Sequence, residues 1–417
     1  MTLQQLKHEG QLQPQILHVS ADFPDPIDGG KTKVIRRLLE MTAREFSHRV
    51  ISINRASPSA AALLGAIVRG FGSPRLTTRS EAFEWGTAMT YHAPGRGLFH
   101  KTMLEQLGDR IAQGISQSEK PDLIVGHKLT VEGVAVMCAA QKLGLPYAIT
   151  IQGDTDTKIL SARPDLRSVC RKVFLGASHV TVFAPWALEA VEAKLGKRSG
   201  PVSIVPCPTE IDVPRPPIVG GNGLLSVFHL KSHARKNLSA MAEALRLLAT
   251  DGQPQQLAVC GGGSDADLAA AREAAGDAPG LMFEGPLDRD TVPNRMNAAT
   301  GFVLPSRRET FGLVFIEALF AGLPVIYPAG QAVSGYFEDC PFAIPVPPGD
   351  PRALANAMAQ LVRDEALLKA ALTQWQQSPE AQRFMRPAIA RDYAAGLAQA
   401  LPCATAPSPS IPVAGAA

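Results

Sequence analysis

Short apolar runs alternate with longer amphipathic stretches along most of the chain. Residues 16–20 (ILHVS) have strand length. Val34, Ile35, Leu38, Leu39 and Met41 then recur at helical spacing before a second apolar run at 49–53. The alternation resumes with strands at 123–125, 146–151, 179–183 and 202–205, separated by helices at 132–143, 166–175 and one opened by Pro185-Trp186. A Pro/Gly-rich segment, 206–222, then interrupts it. Beyond that segment the pattern predicts strands at 224–228, 256–260, 281–284, 301–304 and 325–327. Helices are predicted at 238–248, 265–275, 291–298, 351–362 and 380–400, with one more starting near Phe311-Gly312 and ending at Gly322. Strands joined by helical crossovers form parallel, doubly wound sheets, so the chain reads as α/β with one such sheet on each side of the linker.

Residues 56–116 depart from this alternation. They hold an apolar helix at 60–68 and a mixed segment with Trp85, Tyr91 and Phe99, among which Arg69, Arg75, Arg79, Arg96 and Lys101 are scattered. The pattern suits a loop-and-helix surface. It also suits peripheral contact with a membrane or lipid acceptor through residues 60–101.

A chain of 417 residues exceeds one core, which agrees with two domains. The formal charge of +3 comes without a basic run, which argues against a nucleic-acid partner. The six cysteines have no metal-ligand spacing and read as reduced thiols. No apolar run reaches bilayer length and no secretory leader is evident, so the expected location is cytoplasmic, at most peripheral at the inner membrane face.

Ligands of open α/β sheets bind at the carboxyl ends of strands, where several unusual loops fall. Gly29-Gly30 precedes a helix whose free N–H groups suit an anion. The loop 231–236 gathers Lys231, His233, Arg235 and Lys236, cations that suit a phosphate ester. Glu309 and Glu317 flank the start of a helix. A wholly helical span of that length would separate them by about 12 Å, too far for a proton-sharing dyad. Glu317 has almost entirely apolar neighbours, so its carboxylate needs partners that ligand hydroxyls could supply. Gly261-Gly262-Gly263-Ser264-Asp265-Ala266, with Glu284 after it, imitates a dinucleotide fingerprint. It does not sit in the first βα unit of its half, where that fingerprint belongs, but an NAD-type oxidoreductase stays an alternative.

The stretch LPSRRETFGLVFIEALFAGLPVI, preceded by LAVCGGGSDADL and MFEGPLDRDTVPNRMNAATGFVLPS, resembles the signature of retaining glycosyltransferases of family four, whose E-x7-E motif would be Glu309 and Glu317. DGGKTKVIRRLLE, PDLIVGH and LGLPYAITIQGD fit more loosely. The resemblance implies the GT-B fold: two Rossmann-like domains facing across a cleft. Residues 15–215 would form the acceptor domain, joined by a crossover helix at 380–400, and 216–379 the donor domain. Residues 1–14 and 401–417 would be disordered tails.

The same resemblance implies transfer of a sugar, with retention, from a nucleoside diphosphate sugar to a glycan or lipid-linked acceptor, as in polysaccharide or glycoconjugate synthesis. Glu309, Lys236 and Gln152 would be catalytic. Donor contacts would come from Gly29, Gly30, His229, Lys231, Arg235, Gly262, Thr310, Phe311, Gly312, Leu313 and Glu317. No Asp-x-Asp site at a donor-side strand end calls for a metal, and no cofactor is expected. The family carries Gly-Arg and His-Gly pairs where this chain has Phe228-His229 and Gln152-Gly153. These departures leave a catalytically silent sugar-nucleotide binder, or an epimerase of related fold, as alternatives.

Overall fold

The computed structural model describes residues 13–57, 64–65, 68, 75–93, 99–116 and 120–402. The expected tails and the helix at 60–68 fall largely outside these. Among the described residues, fourteen strands form two sheets. The first contains β1 (Gln15–Ser20), β2 (Ser47–Ala56), β3 (Thr77–Phe83), β4 (Gly86–His92), β5 (Leu123–Gly126), β6 (Tyr147–Ile151), β7 (His179–Val182) and β8 (Val202–Ile204). The second contains β9 (Leu224–Val227), β10 (Leu257–Cys260), β11 (Leu281–Gly285), β12 (Gly301–Val303), β13 (Val325–Pro328) and β14 (Ala343–Val346).

The helices of the first half are α1 (Val34–Thr42), α2 (His100–Ser116), α3 (Gly133–Leu143), α4 (Asp154–Ala162), α5 (Arg167–Gly176) and α6 (Pro185–Leu195). Those of the second are α7 (Leu238–Thr250), α8 (Asp265–Ala275), α9 (Val292–Asn297), α10 (Leu313–Phe320), α11 (Pro351–Arg363), α12 (Glu365–Gln376), α13 (Pro379–Gln382) and α14 (Arg386–Ala400).

Strand order is β3-β4-β2-β1-β5-β6-β7-β8 in the first sheet and β11-β10-β9-β12-β13-β14 in the second. All pairings are parallel except the β3–β4 hairpin. Strands such as β5, β6, β7 and β10 are buried along their whole length, as sheets covered by helices on both faces require. The order reverses at β1/β5 and at β9/β12, which opens one crevice at the carboxyl edge of each sheet.

Helix ends follow their capping residues. Ser264 and Asp267 close a reciprocal capping box on α8, and Asp350 caps α11 ahead of Pro351. The expected terminal helix 380–400 is broken. α13 stops at Gln382 and α14 restarts with Pro387 in its first turn, where a missing N–H costs nothing. α14 packs on α1, β7 and β8, so this last described helix returns to the first sheet.

Several elements escape the alternation rule. Residues 77–92 are not a mixed surface but a hairpin, with Tyr91 in the core and Trp85 packed on Phe23. Two aromatics of the membrane-facing expectation are thus occupied. β14 carries Pro345, which an edge strand tolerates. α4 turns Asp154-Thr155-Asp156 into the first turn of a helix, where carboxylates face the positive end of the dipole. Among the described residues no helix is long and apolar enough to cross a membrane.

A row of three histidines lies inside the first domain. Thr42 donates its hydroxyl proton to the Leu38 carbonyl (2.8 Å), so it accepts from His48 Nε2 (3.0 Å). His48 Nδ1 then accepts from His18 Nε2, and His18 Nδ1 from His127 Nε2, both at 3.0 Å. Thr150 completes the row by donating to His127 Nδ1 (3.4 Å). One anchored hydroxyl therefore fixes the tautomer of all three rings. Burial lowers each of their pKa values, His48 to about 4 and His127 to about 3, which keeps every ring neutral at pH 7.

Candidate active site

The crevice at the carboxyl ends of β9 and β12 is where the sequence places its cations and first carboxylate. The segment after β9 makes a 3-10 turn (Leu230–Ser232) and brings Lys236 round to Glu309, which follows β12. The two side chains form an ion pair, only 13% and 9% exposed. Ser306 donates to the same carboxylate (3.2 Å), and the Glu309 N–H is held by Gln331 Oε1 (3.0 Å). Glu309 is thus fixed by side chain and backbone before any ligand arrives.

α10 begins at Leu313, one to two residues later than the sequence suggests. Gly312 sits just before it at φ 73°, a left-handed conformation that glycine adopts without strain. No side chain caps α10; the Phe315 N–H is bonded to the Gly312 carbonyl (2.9 Å), which leaves the N–H groups of Leu313 and Val314 as the ones an anion beside Glu309 could use. Phe311 is buried and packs edge-on against Tyr336, so it contributes backbone rather than ring.

Glu317 lies further along α10. Burial pushes its carboxyl above the usual range, while Arg37 and Arg289 pull it down. Its Oε1 accepts the N–H of Glu210 (3.3 Å). Glu210 in turn is paired with Arg37 of α1 and with Arg289 (3.5 Å). The sequence signalled Glu317 but not these partners, which come from α1, the linker and the loop after β11.

The remaining cations of the loop separate. Lys231 and Arg235 are exposed, and the Arg235 guanidinium meets Ser232 (3.4 Å). His229 is exposed and accepts the Lys231 N–H (3.2 Å). The Gly262 carbonyl accepts from Leu230 (2.8 Å) and so holds this turn against the end of β10. The glycine run serves the loop, and the dinucleotide alternative loses its acidic residue. Glu284 is bound at two points by Arg295 (2.9 Å each) and accepts from Cys260 (3.2 Å).

On the first domain, Gly29 and Gly30 are exposed, but the Gly30 N–H is spent on Asp28 Oδ1 (3.0 Å). Their loop is organised by Asp25. Burial raises its carboxyl, but Lys31, Ser52 and Asn54 more than offset this and hold it well below the usual range. Gln152 is buried, and its amide donates to the His127 carbonyl (2.7 Å). Gly153, at φ 126°, lies where a Cβ would meet Trp186 at 2.7 Å and the Thr310 carbonyl at 3.4 Å. The two domains meet here. Asp154 binds Arg308 at 3.1 and 2.5 Å, Trp186 Nε1 donates to the Ala332 carbonyl (2.8 Å), and Tyr336 donates to the Phe183 carbonyl (2.9 Å).

Residues 219–377 match the family model described as Glycosyl transferases group 1. That segment holds Lys236, Glu309 and Glu317. The chain is similar to the 2-deoxystreptamine N-acetyl-D-glucosaminyltransferase of Streptomyces fradiae, at 38% identity over 36% of this chain and 34% of that protein. It is also similar to the 2-deoxystreptamine glucosyltransferase of Streptomyces kanamyceticus, at 26% identity over 56% of this chain and 66% of that one. The chain therefore spans from about a third to just under two thirds of the length of these relatives. Among solved structures, sucrose-phosphate synthase of Thermosynechococcus elongatus superposes with TM-score 0.65 at 21% identity, covering 93% of this chain and 99% of that one. Anabaena HepE in complex with UDP gives 0.60 at 14%, covering 93% and 100%. The fold is GT-B: two α/β domains with parallel sheets, their loops facing across a cleft.

Two buried carboxylates lie in the first domain at the starts of α3 and α4. Glu132 accepts the Ala21 N–H through Oε1 (2.6 Å), and its Oε2 has no hydrogen-bond partner. Burial raises its pKa to about 8, against the pull of Lys128. Asp156 accepts from the Thr130 N–H and hydroxyl through one oxygen, and its other oxygen has no partner.

Proposed function

We propose that the chain is a glycosyltransferase that moves a sugar, with retention at the anomeric carbon, from a nucleoside diphosphate sugar to an acceptor hydroxyl. The observation that carries this reading is the Lys236–Glu309 pair beside the uncapped start of α10, facing the Gln152–Gly153 corner of the other domain. The similarity of residues 219–377 to glycosyl transferases supports it.

Lys236 and the N–H groups at the start of α10 would take the charge of the departing diphosphate. Glu309 would hold the donor sugar's hydroxyls and Glu317 the ribose. The bond from the anomeric carbon to the diphosphate oxygen breaks as the acceptor oxygen bonds to that carbon, and the acceptor's proton leaves with the diphosphate. These groups supply the stabilisation without a metal, so activity should survive a chelator. Domain closure onto the donor would complete the site.

A second reading, a silent sugar-nucleotide binder, draws on Gln152, whose amide is engaged by the His127 carbonyl, and on the exposed His229. Release of nucleoside diphosphate from a panel of sugar nucleotides, with Glu309→Ala as control, separates the two. Release by the wild type alone supports the enzyme. Donor binding by both without turnover by either sinks it. The anomeric configuration of the product, read by NMR, tests retention.

A further inference from the structure

The chain passes from the first domain to the second between β8 and β9, and it returns between α13 and α14. Arg386, at the start of α14, ties the two crossings together. Its guanidinium donates to the Thr209 carbonyl (3.2 and 3.1 Å) and to the Glu210 carbonyl (2.8 Å), and it pairs with Asp212 (3.5 Å). The Thr209 carbonyl and the Glu210 N–H belong to one trans peptide group and point in opposite directions. Arg386 on one side therefore aims the N–H on the other, which Glu317 Oε1 accepts at 3.3 Å.

The Glu210 side chain has a separate task. Arg37 of α1 and Arg289 of the loop after β11 both pair with its Oε1, the second at 3.5 Å. Both also lie close enough to Glu317 to hold its carboxyl down against the effect of burial. Neither forms an ion pair with Glu317 among the described residues. The arginines repel one another too, since after burial Arg386 and Arg289 lower the proton affinity of Arg37. Guanidiniums so crowded seek a carboxylate, and one bound to Glu317 at two points would fill the oxygens that a ligand hydroxyl needs. Glu210 takes them instead. Glu317 Oε1 is left with one backbone donor, and among the described residues Oε2 accepts no hydrogen bond. A carboxylate that is to accept sugar hydroxyls must be ionised and unengaged at once, and this arrangement meets both conditions.

We infer that Glu210 is a positioning residue for nucleoside recognition: it engages Arg37 and Arg289 so that Glu317 keeps free oxygens for the ribose hydroxyls. The inference rests on the reading of Glu317 as the ribose group. Glu210 itself touches no ligand and acts through Glu317.

The test is calorimetric titration of the full chain at pH 8 with UDP, GDP and ADP. The diphosphate that binds most tightly is then compared with its 2′-deoxy and 3′-deoxy analogues. The wild type should prefer the ribonucleotide by about tenfold, the worth of a hydrogen bond to a charged group, and Glu317→Ala should abolish that preference. Glu210→Gln should cut it to about twofold, because the freed guanidiniums turn to Glu317. The triple variant Glu210→Gln/Arg37→Gln/Arg289→Gln should recover it, since no guanidinium is left to compete. Lys236→Ala should weaken ribo- and deoxynucleotide alike and keep the preference. The Glu210 side chain is partly exposed and Gln keeps its shape, so the fold tolerates the change, which circular dichroism checks.

A preference that survives Glu210→Gln but is lost in Glu317→Ala overturns the inference and leaves the ribose reading standing. So does a loss in Glu210→Gln that the triple variant does not repair, since Glu210 would then serve the fold alone. Equal binding of the ribonucleotide and both analogues by the wild type, or a preference that survives Glu317→Ala, removes the ribose reading and the inference with it. Failure of all three diphosphates to bind removes both as well.

Discussion

Asp154, in the first turn of α4, grips the guanidinium of Arg308 from the opposite domain with both carboxylate oxygens, at 3.1 and 2.5 Å. The pair is partly exposed, 22% and 45%, so its share of stability is small, about 0–1 kcal/mol. Its value lies in position, because it pins Gly153 against Thr310 and fixes Arg308 next to Glu309.

Asp154→Asn should therefore separate stability from activity. The melting temperature should move by less than about 2 °C, while kcat/KM falls about tenfold because the reacting groups are held less well. Thermal melts and steady-state kinetics on the same preparation check this. A large drop in melting temperature with unchanged kcat/KM would mean that the pair is a structural staple only.

Lys236 and Glu309 neutralise each other in a nearly buried site, and on the proposed reading a donor would come between them or share them. Lys236→Ala should weaken nucleoside diphosphate binding by about tenfold or more, since its ammonium is largely shielded from water, unlike the exposed Lys231 and Arg235. Glu309→Gln keeps the shape and should leave nucleotide binding within about threefold. Turnover should fall by about 10²-fold, the size of effect seen when one preorganised polar group is lost. Titration with nucleoside diphosphate and single-turnover kinetics separate the two effects. Equal loss of binding in both variants would contradict the division of roles.

The candidate stretch is legible in sequence because its parts are adjacent: an apolar strand, a polar loop with Glu309, and a helix whose apolar neighbours leave Glu317 conspicuous. Lys236 is legible because it follows a strand end and precedes a helix. The rest of the site is long-range. Arg37 and Glu210 reach Glu317 from α1 and the linker, more than a hundred residues away, and nothing local distinguishes them from surface charges. Asp154 carries no local helix signal, since Asp and Thr favour turns, yet the dipole of α4 accepts it at the first turn. The β3–β4 hairpin escaped notice because edge strands are polar, so β3 carries no apolar run to find.

The histidine row makes a prediction about acid stability. Its rings are neutral in the fold and bind protons less readily than in the unfolded chain, where the usual value is 6.5. The unfolded state therefore takes up protons first. The stability from the row is complete above about pH 6.5 and is lost as pH falls toward 4, where His48 titrates. His18→Asn breaks the row at its middle and should cost about 1–3 kcal/mol at pH 7. It should also make the fall in melting temperature between pH 6.5 and 4 shallower than in the wild type. Identical acid limbs would show that the row does not control acid unfolding.

Glu132 acts with the opposite sign. Its folded pKa of about 8 lies above the unfolded value of 4.5, so the fold holds a proton that the unfolded chain releases. Below 4.5 both states are protonated and burial of the acid costs little. Between 4.5 and 8 the cost grows with every pH unit, reaching a few kcal/mol before it levels off. Glu132→Gln removes the titration and can keep the Ala21 bond through its carbonyl oxygen. Its amide meets the position where Oε2 has no partner, a penalty of about 1–3 kcal/mol that does not vary with pH. The informative quantity is therefore the slope. The stability of Glu132→Gln relative to wild type should rise steadily from pH 4.5 to 8, measured by urea unfolding at fixed temperature. A flat difference would show that Glu132 is already ionised in the fold, with Lys128 as its counter-charge.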